Sequence, residues 1–187
     1  FGQEGTVSGD NIIVDVPFAT DITGATVPDE ITLSPGASFT GTNNATTAVN
    51  FSETIPVVYD LKDGDGNTKS YNVLINRLPA STTKTLTGVS FDIDGEARTA
   101  TISGNTVILK LPFSYSDGKP NANKRKTVQT IFTYSDNLAS AALSNSTAVT
   151  SGTALTVDYT AVTSIAVKAE DGSINTYNFA IEYEPAS

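Results

Sequence analysis

The feature that most constrains this chain is a segment spelled twice. "VSGDNIIVDVPF", Val7 to Phe18, returns as "ISGNTVILKLPF", Ile102 to Phe113, at a constant offset of 95 that lays Gly9 on Gly104, Ile12 on Val107 and Pro17 on Pro112. A second pair, "DGNTKSYNVLI" from Asp65 and "DGSINTYNFAI" from Asp171, stands at an offset of 106, with Tyr71 on Tyr177 and Asn72 on Asn178. Between these anchors "VPDEITLS" from Val27 lies over "VQTIFTYS" from Val128 at 101. The second copy has therefore gained about six residues near 114–127 and about five near 137–154.

Two copies in the same order, each with its own start and end, read as tandem domains rather than one interleaved sheet, and the period exceeds that of any solenoid unit. We expect one domain over 1–78, a linker over 79–84, where Pro and small polar residues interrupt the alternation, and a second domain over 85–187. Each copy is long enough to bury its own core.

The local pattern is strand throughout. "NIIVDVPF" alternates, is rich in β-branched residues and stops at a proline, which cannot donate to a ladder. In "SIAVKAEDGSINTYNFAIEY", Ile165, Val167 and Ala169 share one face, and Tyr177, Phe179, Ile181 and Tyr183 share one on the return. Asp171-Gly172, and Asp65-Gly66 in the first copy, are expected to form type I′ turns with both central residues at positive φ; Asp94-Gly95 joins a further hairpin. No window keeps a 3.6-residue apolar period, so helices should be minor. The expectation is an all-β chain of two tandem immunoglobulin-like antiparallel β-sandwich domains, with a small barrel per copy fitting the same pattern.

The register of the repeats carries a further expectation. The second copy opens with "LTGVSFDIDG", Leu86 to Gly95, and the counterpart of that stretch would lie before Phe1. The first domain should then either be built differently at that point or lack its opening strand and present an open edge to a strand from a partner or from upstream sequence.

Composition removes most chemistries. With no Cys, Met, Trp or His, the chain has no disulfide, thiolate, imidazole base or usual zinc ligand set. A net charge of -9 excludes a general nucleic-acid binder, and no apolar run approaches the roughly 18 residues of a spanning helix, so this segment should not insert in a membrane. The 20 acidic residues could furnish a glycosidase pair, yet no pair is distinguished, so we expect a non-catalytic module with no cofactor.

The binding candidate is "SYSDGKPNANKRK", Ser114 to Lys126, the loop enlarged in the second copy. It gathers Lys119, Lys124, Arg125 and Lys126 beside Tyr115, Asp117, Asn121 and Asn123. An aromatic face stacks on a sugar ring while amides and carboxylates bond its hydroxyls, and a basic loop on an acidic body also suits an anionic glycan or a protein partner. Asp63, Asp65 and Asn67 follow the alternating oxygen pattern of a calcium loop. Thr68 stands where such a loop needs Gly and Leu74 where it needs Glu, so a solvated hairpin turn is the favoured reading there and no metal is expected. Asn44, Asn50 and Asn145 begin N-x-S/T triplets of the kind common by chance in sequences this rich in Ser and Thr.

The "G-N-x-I-x-V-x-V-P"-like strand, "ITLSPGA" at Ile31–Ala37, "VNFS" at Val49–Ser52 and the closing "DG-x-x-x-x-Y-x-V-x-I" hairpin together resemble the repeated β-sandwich domains of Bacteroidetes surface lipoproteins. The nearest resemblance is to the family of unknown function numbered 5018, related to cadherin-like bacterial sandwiches. It covers nearly the whole chain twice and is clearer in the first copy, since "YSDNLAS" replaces "LSPGAS" in the second. It implies an exported protein, anchored to the cell surface or outer membrane as a lipoprotein or held in the periplasm, with glycans or cell-envelope proteins as partners. It implies no catalytic set. The function so implied is a non-catalytic binding or spacer module, glycan binding running through 114–126; the alternative is a structural or adhesive subunit assembling through exposed strand edges.

Overall fold

The computed structural model describes residues 2–135 and 139–186, which fall into two compact units, Phe1–Ala80 and Ser81–Ser187. Residues 136–138, inside the "YSDNLAS" counterpart of "LSPGAS", lie outside the described residues. The chain is all-β, with helix confined among the described residues to two 3-10 segments, Phe113–Tyr115 and Ala122–Lys126.

Unit 1 is a single sheet of β1 (Gly5–Ser8), β2 (Asn11–Val16), β3 (Ser38–Phe39), β4 (Val57–Lys62) and β5 (Thr68–Arg77), in the order β1-β2-β5-β4-β3. The repeated "SG" explains its first turn: Ser8 faces Asn11 across a two-residue loop led by Gly9 at φ 63°, the position at which a type II′ hairpin requires glycine. The second copy uses Gly104 at φ 55° in the same way, between Ser103 and Thr106.

Unit 2 contains β6 (Leu86–Ile93), β7 (Glu96–Thr99), β8 (Thr101–Ser103), β9 (Thr106–Leu111), β10 (Val128–Tyr134), β11 (Ser140–Leu143), β12 (Ala148–Val149), β13 (Ala154–Val157), β14 (Ser164–Lys168) and β15 (Ile174–Tyr183). These form a six-stranded sheet, β12-β11-β14-β15-β9-β8, and a four-stranded sheet, β13-β10-β6-β7. Side chains from both sheets, among them Phe91 and Phe132 from one and Leu109 and Ile165 from the other, share one buried cluster, so the sheets pack face to face. Both remain open at their edges, which answers the barrel alternative.

The six-stranded sheet reproduces the sheet of unit 1 rung by rung. Asn11 faces Asn72 and its image Thr106 faces Asn178; Tyr59 faces Tyr71 and Ile165 faces Tyr177; Ser38 faces Lys62 and Ser140 faces Lys168. These rungs correct the antiparallel expectation, because β2 runs parallel to β5 and β9 parallel to β15. About fifty residues separate the first pair in sequence and about sixty the second, ample for the crossover that a parallel neighbour needs. The two segments the chain spells twice are the two strands of this parallel pair.

The four-stranded sheet has no counterpart among the described residues of unit 1. The segment 27–34, which by offset should match β10, forms no strand, and what remains of the second layer is the single bridge Thr26↔Val49. The cores differ accordingly. Among the described residues one cluster of Val49, Val57, Tyr59 and Val73 serves unit 1, whereas unit 2 buries twenty-one residues together.

Two local expectations need correction. Asp65 and Asp171 do not adopt positive φ; only Gly66 and Gly172 do, and bonds from Gly66 N–H to Asp63 C=O and from Asp63 N–H to Asn67 C=O make a three-residue loop with a glycine bulge in place of type I′. Asp94 and Gly95, at φ 54° and 87°, do supply a two-residue loop with both residues at positive φ, between Ile93 and Glu96. Of the expected linker 79–84, residues 81–84 are tied to unit 2: Ser81 N–H donates to Glu170 Oε2, Asp171 N–H to Ser81 C=O, and Lys84 Nζ to Ser173 Oγ.

Candidate functional site

The 114–126 loop is a braced structure. Its two 3-10 segments are linked by Asn121, whose N–H donates to Ser114 C=O and whose C=O accepts from Lys124 N–H. Tyr115, expected as an exposed stacking face, is only 3% exposed and belongs to the core of unit 2. The apolar surface beneath the loop captured the ring because burying an aromatic ring outweighs leaving it in water. Burial, followed by the nearby Asp94 carboxylate, raises the Tyr115 pKa.

Three of the loop's cations have partners within the chain, although Lys119, Lys124 and Lys126 stay exposed. Lys124 Nζ donates to Asp94 Oδ1 at 2.5 Å and lies 5.9 Å from the Tyr115 ring centroid. That bond holds the Asp94 carboxyl below its ordinary range and raises the Lys124 ammonium. Arg125 pairs with Asp117 and donates through Nη1 to Tyr183 Oη at 2.7 Å, while its C=O accepts from Tyr159 N–H. Lys119 sits over the Phe113 ring at 4.6 Å. Asp117 and Asn123 are exposed. Beside the loop Asp92, Asp94, Tyr115, Lys124 and Gln129 line a cleft of about 260 Å³, below the usual size of a ligand pocket.

Asp63 is the internal acceptor of its hairpin. Its Oδ1 takes the N–H groups of Asp65 and Asn67 and its Oδ2 takes Asn67 Nδ2, and the Asn67 bonds, largest of these effects, lower its pKa. The Asn67 side chain thus turns its amide N–H toward the carboxylate, a donor where a calcium loop needs an oxygen.

A second concavity lies in unit 1, on the sheet face that carries Ile12, Val14, Phe39, Tyr59, Leu61 and Val73. It is a groove of about 1150 Å³, walled on one side by residues 26–34. The repeat measures what is uncovered there. Ile12 and Val14 are half-buried where Val107 and Leu109 are fully buried, and Val7 is 62% exposed at its rim. Tyr59 is buried in its floor, yet its hydroxyl has no hydrogen-bond partner, and burial raises its pKa.

Comparisons with known proteins add little to this geometry. No family model matches the chain, and no curated protein matches it. Among solved structures it is similar to a protein of Bacteroides thetaiotaomicron provisionally named a glycoside hydrolase, at 15% identity and a TM-score of 0.35, over 94% of this chain and 76% of that one. Likeness at that level carries no argument about either fold or activity.

Sequence reasoning therefore took the buried Tyr115 ring as an exposed face, and it passed over Tyr59, Val73 and Phe39 as groove residues. The signal for them lay in the repeat: core positions of β2 and β5 face a partner strand in the second copy that has no counterpart among the described residues of the first.

Proposed function

We propose that this chain is a non-catalytic module of an exported bacterial surface protein, built of an immunoglobulin-like sandwich in unit 2 and a copy of its larger sheet in unit 1, and that unit 1 is its assembly surface. The observation that carries this reading is the groove on the unit 1 sheet, lined by the half-buried Ile12, Val14, Phe39 and Leu61, since binding sites are concave and mostly apolar. Support for the architecture comes from the two-layer core of unit 2 and from the rung-by-rung copy of its larger sheet in unit 1. The motif resemblance supports the address.

Glycan binding at 114–126 would have to rest on exposed polar groups such as Asp117 and Asn123 without the Tyr115 ring, and we place it second. The test is a photo-crosslinking residue at position 27, on the rim of the groove, in cells displaying the protein. A discrete adduct is expected, and Val7→Asp at the exposed rim should abolish it without affecting folding. The reading fails if no adduct forms while the purified chain binds a glycan panel and loses that binding on Lys124→Ala.

A further inference from the structure

Five times the chain places glycine directly after aspartate: Asp63-Gly64, Asp65-Gly66, Asp94-Gly95, Asp117-Gly118 and Asp171-Gly172. Such a pair can react with itself. The main-chain nitrogen of the glycine, unhindered by any Cβ, attacks Cγ of the aspartate before it. A Cγ–N bond forms, the carboxyl hydroxyl leaves as water with the amide proton, and a five-membered succinimide closes. Water then opens the ring at either carbonyl. Opening at the former main-chain carbonyl leaves the chain running through Cβ and Cγ, an isoaspartyl linkage of unchanged mass.

Folding restrains this reaction in three ways. A carboxyl fixed as an acceptor cannot turn toward the nitrogen, an ionised carboxylate has no hydroxyl to lose, and a glycine N–H held in a hydrogen bond is a poor nucleophile. Four of the five pairs are restrained at the carboxyl. Asp63 accepts from the Asp65 and Asn67 N–H groups through Oδ1 and from Asn67 Nδ2 through Oδ2. Asp94 accepts from Lys124 Nζ, and the Gly95 N–H is bonded to Asp92 Oδ1 at 2.9 Å. Asp117 pairs with Arg125. Asp171 Oδ1 accepts from the Ser173 N–H and Oγ, and the Gly172 N–H is bonded to Ala169 C=O at 3.0 Å. The bonds from Asn67, Lys124 and Ser173 also hold the Asp63, Asp94 and Asp171 carboxyls below their ordinary range, which lowers further the fraction that carries a hydroxyl.

Asp65 differs. It is exposed, and its carboxyl has no hydrogen bond or ion pair among the described residues. Its nucleophile, the Gly66 N–H, is restrained only by a 3.2 Å bond to Asp63 C=O, at the long end of the range. We propose that Asp65 is the site of isoaspartate formation in the folded protein, singled out among the five pairs by its unbonded carboxyl. The product is a substrate for the class of carboxyl methyltransferase that methylates isoaspartyl groups with S-adenosylmethionine.

The modification has a structural consequence at the groove. One carboxylate oxygen of Asp63 binds the N–H groups of both Asp65 and Asn67, and isomerisation adds one backbone atom between those two residues. The longer chain carries Asn67 away from the Asp63 carboxylate and loosens the turn where both residues line the groove.

The test ages the intact protein in warm neutral buffer, with a guanidinium-unfolded sample alongside, and locates isoaspartate by electron-transfer fragmentation of the five Asp-Gly peptides. In the folded protein it should appear first at 65, whereas the unfolded chain should form it at all five pairs alike. Amide exchange of the aged folded protein should quicken at Asn67 and Thr68. Asp65→Glu, which would have to close a six-membered ring, should lose the signal at 65, the quickened exchange and the corresponding share of methyl uptake from labelled S-adenosylmethionine. Isoaspartate that appears first at another pair in the folded protein, or at 65 no sooner than at the other four, would overturn the proposal. So would a folded protein that forms none at 65 while the unfolded chain does.

Discussion

At the scale of single residues the two copies make opposite predictions at equivalent sites. The Tyr177 hydroxyl satisfies the buried Leu86 N–H, so Tyr177→Phe leaves that donor unpaired and should destabilise unit 2 by about 1–3 kcal/mol in urea unfolding. Tyr71→Phe, lacking a strand to anchor, should cost unit 1 far less. Short acidic turns give a second prediction. Asp63 is held below its ordinary value of 3.8 by Asn67, Asp158 by Thr160 and Asp171 by Ser173, each chiefly through a side-chain bond and then a backbone bond. Because the folded pKa is depressed, the stabilisation is complete above about pH 4 and is lost as pH falls through the folded values. Urea midpoints should therefore drop between pH 4 and pH 2, and Asp63→Asn should flatten that slope. Residue-level reading of the sequence placed the turns at Asp65-Gly66 and Asp171-Gly172 but not their conformation, since only the glycines take positive φ. Tyr115 stands between Ser114 and Ser116 and looks like a surface residue, and only the packing of the loop over the core turns its ring inward.

At the scale of elements, β2 and β9 are one strand in two settings. Leu109 is fully buried between two sheets, whereas Val14 at the same repeat position faces the groove. Leu109→Ala should cost about 2–5 kcal/mol, while Val14→Ala should cost about 1 kcal/mol or less, measured by urea unfolding of each unit. Equal losses would mean that the unit 1 face is covered in solution. The strands themselves were legible, since alternation and β-branching survive in both copies. Their partners were not: a strand's neighbours are set by distant chain, so nothing local in "NIIVDVPF" distinguishes a parallel from an antiparallel mate. Likewise "VPDEITLS" carries strand-like spacing in Val27, Ile31 and Leu33, but Pro28 lacks a donor and its neighbouring strand is missing among the described residues, so it makes no ladder.

At the scale of the whole molecule the unequal cores predict unequal protection. Amide exchange should be slowest in β9, β10 and β15 and markedly faster throughout unit 1, where one small cluster supports the sheet. The net charge of -9 keeps copies apart at neutral pH, and the isoelectric point near 4.3 removes that repulsion. Light scattering should rise as pH approaches that point. The division of the chain into two units was legible from the repeat; that only one of them shows two sheets among its described residues was not.

The parallel ladder also has a mechanical consequence. In unit 1, β2 and β5 are joined by six residue pairs from Asn11↔Asn72 to Val16↔Arg77, so tension drawing β2 by its amino end and β5 by its carboxyl end pulls along the ladder in opposite directions. Once the β1 hairpin has peeled away, the rungs share that load and must shear together instead of opening one at a time. A display module built in this way would resist being drawn out between an anchor and a load, and single-molecule extension from its ends should meet one abrupt force peak per parallel pair.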